Sequence, residues 1–457
     1  MNVDPSIFKS YDIRGIYPEQ VNKEVAYKIG RAYGQFLKAE NKKDQSTIIV
    51  SRDMRLSGGE LHQSLVEGLI DQGVNVVDIG LASTPTMYFA VGYYGYDGGI
   101  QVTASHNPKE YNGFKLVRKS ANPISGQTGI PEIRDMVIAD QFEEPIKKGE
   151  YEKREDIMDR LSESCQKEWP VNFKIIKPFE IVADPGNAMG ALDMEVIFKP
   201  FPCHLIKLNF DIDGSFPVHH PDPTIPENLK SLQESVIDNH ADLGIATDGD
   251  GDRYVFVDEK GQLIRNEIIR AIAAESALEQ YPGAVICSDI RPGRITQDVV
   301  TKNGGSNIYS KAGNPLVKEK MIENNSVFGG ESSGHYFHKM SYGTFEVPVV
   351  LVRKFIEFIS RQSKPLSEIV APYKVYFHSG EVNMKVTDVK TVLDKIAQHY
   401  SNLDINRLDG ISVTDNDWWF NIRGSNTEPL VRLNLEAKSQ KLMEQKRDEV
   451  LSIITKQ

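Results

Sequence analysis

The sequence predicts an α/β protein with three related mixed-sheet α/β domains, then a C-terminal α+β domain. Three observations carry this reading. A chain of 457 residues is longer than one hydrophobic core can fill. Short apolar runs alternate with helical patterns, the βαβ rhythm of a sheet covered by helices. That rhythm then recurs: three successive segments each give a strand with a polar loop, then a second strand with a chemically loaded loop.

In the first segment, residues 47–50 (TIIV) run into the turn-rich SRDMRLSGG, and a helical pattern follows over 60–72. Residues 74–79 and 99–103 are the next strand candidates, the latter ending at ASHNP. In the second segment, 179–183 runs into DPGNAMG and 243–246 into TDGDGDR. In the third, 284–287 runs into SDIRPGR and 326–328 into GGESSGH. Beyond about Lys364 the pattern changes: 375–385, 418–422 and 430–437 read as strands, 387–400 and 441–454 as helices. Trp418 and Trp419 read as packing residues of that sheet. The expected domains are 1–150, 151–256, 257–368 and 369–457, with the charged stretch 147–154 and the turn DEKGQ at the first two boundaries. Ligands of open α/β sheets collect at the carboxyl ends of strands, where all these loops lie.

Composition narrows the function. A net charge of −11 argues against nucleic acid or an anionic membrane as partner. No stretch approaches the roughly 18 apolar residues of a spanning helix, and the N-terminus lacks a signal-peptide pattern. Cys165, Cys203 and Cys287 are far apart and read as ordinary thiols of a reducing compartment. The expectation is a cytoplasmic protein, a monomer or weak homodimer, acting on a small molecule.

Four loops carry the chemistry. In TASHNPKEYNGFK, Ser105 stands at a strand end among small residues; it reads either as a nucleophile or as a turn residue, and no GxSxG elbow surrounds it. Lys115 is a candidate acid–base group or phosphate clamp. In TDGDGDR, Asp248, Asp250 and Asp252 alternate with glycines and can wrap one side of a divalent cation, as Mg²⁺ sites require. An EF-hand count also fits Asp248, Asp250, Asp252 and Glu259, but Arg253 stands where that loop needs glycine and the flanks read as strands. In GGESSGH, Glu331 and Ser333 suit sugar hydroxyls, and His335 can move a proton near neutral pH. In RGSNTEP, Arg423, Ser425, Asn426 and Thr427 suit a dianionic phosphate, with Arg432 either assisting or structural. Arg291 in SDIRPGR is a further sugar or phosphate contact.

With these four loops in order, from FKSYDIRG to RGSNTEPLVRLNLEA, the chain resembles the α-D-phosphohexomutase superfamily and, within it, the phosphomannomutase/phosphoglucomutase branch. FPVHHPDPTIPENL is also similar to a family segment. The resemblance implies a phosphoserine at Ser105, bound with Asp248, Asp250 and Asp252 to Mg²⁺. It implies that Glu331 and Ser333 read the sugar, and that Arg423, Ser425, Asn426 and Thr427 hold the phosphate not being transferred. The four domains would stand around a central cleft lined by Tyr11 and Arg14, Lys115 and His335 would handle protons, and Arg253 would hold the reacting phosphoryl. The implied activity interconverts hexose 1- and 6-phosphates of mannose or glucose through a hexose 1,6-bisphosphate, which also serves as activator. A phosphoglucosamine mutase and a non-catalytic sugar-phosphate-binding relative are the alternatives. The chain departs from many relatives at Gly313-Asn314, where they have Gly-His, and at Thr344-Phe345-Glu346, where they carry an acidic run ending in glycine.

Overall fold

The computed structural model describes residues 3–291, 293–425 and 430–455. The chain forms two compact units, Met1–Ile264 with Ser333–Ser367, and Arg265–Ser332 with Glu368–Gln457. No helix among the described residues is long and apolar enough to cross a membrane.

In the first unit, the buried run Thr47–Arg52 lies between parallel partners Asn75–Leu81 and Gly98–Val102. Tyr111–Arg118 then returns antiparallel to Gly98–Val102, and Ile13–Ile16 pairs antiparallel with it. The sheet is therefore mixed. Two stretches differ from the expectation. Residues 103–115, read as one loop, contain the start of a strand, because Asn112 and Gly113 lie inside the ladder and do not turn. A Cβ at Gly113 would come within 2.0 Å of the Ile13 carbonyl oxygen, so glycine here serves close strand contact. The charged stretch 147–154 contains the short exposed strand Tyr151–Lys153, parallel to Asn75–Leu81 at the sheet edge.

The second sheet repeats the plan. Glu180–Asp184 and Leu243–Thr247 are parallel, with His204–Lys207 outside them, and Tyr254–Asp258 returns antiparallel. In both sheets the loaded loop joins a central strand to its antiparallel return, which aims the loop at the strand carboxyl ends. Helix Thr84–Tyr94 is buried on every side by Met87, Tyr88, Phe89, Ala90 and Val91, so it is a core helix and not a surface one. It starts at Ser83, whose hydroxyl accepts from Thr86 N–H, and ends at Gly95 in the left-handed region. The unit closes with the hairpin Tyr336–Met340/Gly343–Glu346 and helix Pro348–Ser360. From that helix the buried Arg353 donates to the carbonyls of Val196 and Ile197 at the end of helix Gly190–Phe198.

In the second unit, Ser306–Ser310, Val285–Asp289 and Phe328–Gly330 form a parallel ladder. A separate antiparallel sheet runs Phe377–Lys385, Leu430–Ala437, Trp418–Gly424, Ile411–Thr414, Asp404–Asn406. Its last two strands are short and were not expected from the sequence. Helices Val389–His399 and Gln440–Thr455 cover one face around Ile396, Val450, Phe420 and Leu433. Trp418 stacks on Phe420 in this core, whereas Trp419 projects to the other face and is half-buried, so only the first is a core residue.

One buried cation organises the first sheet's loop. Arg55 is 1% exposed and donates to four carbonyls: Ser105 (2.7 Å), Asn107 (2.6 Å), Pro108 (2.7 Å) and Tyr111 (2.9 Å). Its charge is matched by Asp53, fully buried 3.3 Å away, whose carboxylate also accepts from Thr103 Oγ1 at 2.6 Å. Arg55→Met leaves Asp53 buried without its cation and four carbonyls without a donor. It is expected to cost about 3–5 kcal/mol in chemical denaturation, with Asp53→Asn/Arg55→Met losing less than the two single changes added. A single-mutant cost within experimental error of zero would show that the loop is held by other contacts.

Candidate active site

Ser105 sits at φ +51°, in the left-handed region that a non-glycine residue adopts at a cost. The surroundings impose it: Arg55 holds its carbonyl, and its N–H donates to Thr103 Oγ1 at 2.8 Å. The side chain then faces the second loaded loop, where Ser105 Oγ donates to Asp248 Oδ2 at 2.8 Å. Gly249 lets the two loops meet, since a Cβ there would lie 2.4 Å from the Ser105 carbonyl oxygen. On its other side Ser105 Oγ lies 3.1 Å from His106 Nδ1. Burial, then the charges of Arg253 and Arg14, push the His106 imidazole far below its ordinary value, so it is neutral.

Asp248, Asp250 and Asp252 are buried, with ligand oxygens within 4.8 Å of one another. Lys115 Nζ donates to Asp250 Oδ2 and Asp252 Oδ2, both at 2.6 Å. Burial opposes ionisation of all three acids. At Asp250 and Asp252 the Lys115 ammonium outweighs it and holds both carboxyls below their usual range. At Asp248 burial together with the charges of Asp252 and Asp250 pushes the carboxyl well up. Lys115 is raised well above its ordinary value despite burial, by Asp250 and Asp252, so it is a cation at neutral pH.

The N-terminus of helix Thr84–Tyr94 adds a further positive end: Thr84 N–H donates to the Asp250 carbonyl at 2.9 Å, and its hydroxyl to the Asp250 carboxylate. Asp250 Oδ1 and Asp252 Oδ1 are buried without a hydrogen-bond partner. Three hard oxygen donors with two orphaned atoms suit a divalent cation such as Mg²⁺. The calcium-loop count fails on structure as well. Strands Leu243–Thr247 and Tyr254–Asp258 flank the loop, and Glu259 is engaged by the Ser367 hydroxyl and its N–H at 2.8 Å.

The other expected residues of this unit gather on the same loops. Arg14 donates to Asn107, on the serine loop, and to Asp12. Arg253 lies 3.9 Å from Asp222, a residue of the FPVHHPDP segment, and its Nε donates to His335 Nε2 at 3.2 Å. Pro221 of that segment accepts from Gly249 N–H at 3.1 Å, supporting the loop from behind. Tyr11 is 37% exposed just before strand Ile13–Ile16, and Ser333 is half-buried in the turn leading to His335. Sequence reasoning missed Asp53, Arg55 and His106: two charged residues in a turn-rich run look solvated, and His106 reads as part of a loop.

Within the second unit, Glu331 is held rigidly. Its Oε1 accepts from Arg291 Nη2 at 3.0 Å and from Gly313 N–H at 2.7 Å. Arg291 Nε donates to Asp289 at 2.5 Å, and Asp289 is paired on its other oxygen with the fully buried Arg270 at 2.7 Å. Gly313-Asn314 begins helix Asn314–Glu323, so the departure from the Gly-His pair still supplies the backbone donor to Glu331. On the antiparallel sheet Arg423 and Arg432 are directly opposed on neighbouring strands and share Glu381, at 3.5 and 3.1 Å. Like charges opposed on a sheet repel. The two guanidiniums with one carboxylate leave a net positive patch, with Arg423 Nε and Arg432 Nε buried and unpartnered. Ser425 N–H donates to the Leu430 carbonyl at 2.9 Å. Asn426 and Thr427 lie outside the described residues.

The chain matches, in order, the four models of the phosphoglucomutase/phosphomannomutase family: α/β/α domain I over 5–144, α/β/α domain II over 160–261, α/β/α domain III over 266–376 and the C-terminal domain over 381–453. It is 40% identical to the phosphomannomutase of Vibrio cholerae over 98% of both chains. A phosphoglucomutase/phosphomannomutase family protein of Burkholderia thailandensis, solved by crystallography, superposes with a TM-score of 0.89 at 33% identity, covering 99% of this chain and 97% of that one. The fold is also shared with the N-acetylphosphoglucosamine mutase of Aspergillus fumigatus, solved in complex with GlcNAc-6P and magnesium, at TM-score 0.61 and 12% identity over 94% of this chain and 96% of that one. With four domains matched in sequence order and these likenesses spanning the chain, this protein belongs to the phosphoglucomutase/phosphomannomutase family and is a mutase enzyme.

Proposed function

We propose that the enzyme interconverts the 1- and 6-phosphates of a hexose, mannose and glucose both, through phospho-Ser105 and a hexose 1,6-bisphosphate that also acts as activator. The observation that carries this reading is the Ser105 hydroxyl, fixed at φ +51° with its Oγ 2.8 Å from Asp248 and at the edge of the carboxylate triad. Phosphoryl transfer asks the protein chiefly for positioning and charge stabilisation. In the first half-reaction the P–O bond to Ser105 Oγ breaks while a new one forms to the free sugar hydroxyl, and the proton of that hydroxyl ends on Ser105 Oγ. In the second, the P–O bond at the other end of the turned bisphosphate breaks as Ser105 Oγ takes that phosphoryl, and the serine proton ends on the sugar oxygen released.

Asp248, Asp250 and Asp252, with Ser105, are the residues to hold Mg²⁺, which when bound supplies positive charge to the phosphoryl oxygens. Lys115, a cation tied to two of the acids, offsets the charge of the phosphorylated serine and is a proton donor, not an acceptor, in this state. Arg253 and Arg14 face the serine loop as further cations. Glu331, Ser333 and Arg291 are assigned to the sugar hydroxyls, Arg423, Ser425, Asn426, Thr427 and Arg432 to the phosphate that is not transferred, and Tyr11 to substrate binding. The domain division 1–150, 151–256, 257–368 and 369–457 and a cytoplasmic monomer or weak homodimer belong to the same reading.

Ser105→Ala is expected to lower conversion of mannose 1-phosphate and glucose 1-phosphate by at least about 10³-fold while leaving hexose-phosphate binding measurable by calorimetry. Turnover of the variant within tenfold of the parent would remove the phosphoserine from the mechanism. Chelation with EDTA is expected to stop conversion of both sugars and added Mg²⁺ to restore it, with Asp250→Asn unresponsive at the Mg²⁺ concentration that saturates the parent. Full activity in EDTA after exhaustive dialysis would separate the triad from metal binding.

A further inference from the structure

His335 is presented to its neighbours through both ring nitrogens, and the two contacts are chemically different. The Nε of Arg253 carries a proton in every state the side chain reaches in water. Its 3.2 Å contact therefore makes His335 Nε2 the acceptor. A neutral imidazole has one proton and one acceptor nitrogen, so the proton stands on Nδ1. That nitrogen lies 3.4 Å from Glu346 Oε1 and 3.5 Å from Asp252 Oδ1. Glu346 is 1% exposed and ends the strand Gly343–Glu346, whose partner strand Tyr336–Met340 begins one residue after His335, so both groups ride on one hairpin. The ring is further held by Phe337, nearly parallel to it at 12°, and its loop by the Gly334 carbonyl, which accepts from Tyr254 N–H at 3.0 Å.

A base that is to take a proton from a sugar hydroxyl needs its lone pair free. Here the lone pair faces a guanidinium. From this geometry we infer that His335 is a positioning residue for Arg253, and that Glu346 fixes the imidazole as the Nδ1–H form that can accept from Arg253 Nε. The chain runs Glu346 to His335 to Arg253, with Asp222 holding the Arg253 Nη1 side at 3.9 Å. Second-layer carboxylates that select an imidazole tautomer are a general device for orienting a ring. The inference rests on the mutase reading in one respect: it is there that Arg253 holds the reacting phosphoryl.

Two measurements decide it. Long-range ¹⁵N–¹H correlation spectra of the whole protein labelled at histidine, with His335→Gln identifying the signal, are expected to give the Nδ1–H pattern for His335 near neutral pH. This needs no turnover and no variant that might misfold beyond the one used for assignment. An Nε2–H pattern overturns the proposal. In steady-state assays with hexose 1-phosphate, His335→Gln, whose amide oxygen falls close to Nε2 and accepts from Arg253 but carries no proton between groups, is expected to keep kcat within about tenfold of the parent. His335→Ala is expected to lose about 100-fold, chiefly in kcat with KM little changed. Glu346→Leu is expected to follow His335→Ala, and Glu346→Gln, which still offers an acceptor to Nδ1–H, to recover most of the loss. Equal loss in His335→Gln and His335→Ala overturns the proposal in favour of proton transfer by the ring. A parent protein without activity on any hexose phosphate defeats the mutase reading instead, and the tautomer spectrum still tests the positioning chain.

Discussion

The first unit is built around the problem of keeping several charges out of water at once. Four aspartates, a lysine and an arginine meet where the carboxyl ends of two sheets face each other, and a buried charge is tolerated only where it is paired and hydrogen-bonded. Each is. Lys115 spans Asp250 and Asp252, Asp248 receives the Ser105 hydroxyl, and Asp53 answers Arg55. The serine loop owes its unusual backbone to this arrangement. Four of its carbonyls point at one guanidinium, and no regular strand or helix directs four acceptors so close in sequence to one point.

The second unit meets the same problem with a chain of alternating charges. Arg270, Asp289, Arg291 and Glu331 follow one another at 2.5–3.0 Å, each sharing its partner with the next. Such a chain is stiff, because no member can turn without leaving a neighbour unpaired in a region of low polarity. Glu331 is therefore held in one orientation. A similar economy appears at Glu436. This carboxyl, 1% exposed, caps helix Arg294–Lys302 through the N–H groups of Gly293 and Arg294, while burial, reinforced by Glu267, lifts it to about 7.

Much of this was legible in the sequence, and the limits are physical. The α/β class and the loops at strand ends followed from apolar runs of the right length punctuated by glycine-rich polar stretches. Ser105, Lys115, Asp248, Asp250 and Asp252 converge as expected, because loops at the same end of parallel strands have few other places to go. The strand Tyr111–Arg118 was hidden, since Asn-Gly within it is a strong turn signal and only the opposing strand's proximity explains the glycine. Ile411–Thr414 and Asp404–Asn406 are too short for periodicity to show. Arg55 was invisible for a deeper reason: a local reading puts a charge in water, and what buries it comes from carbonyls about fifty residues away in sequence. Nothing local could distinguish a cation on the surface from one at the centre of a loop.

The opposed pair Arg423 and Arg432 has a consequence of its own. Their cross-strand register fixes two guanidiniums face to face with a single shared carboxylate, so the sheet stores a repulsion that any dianion relieves on arrival. Such a patch responds first to charge and only afterwards to the molecule that carries it. On the proposed function, inorganic phosphate and sulfate, which carry the same charge without the sugar, would compete for this patch.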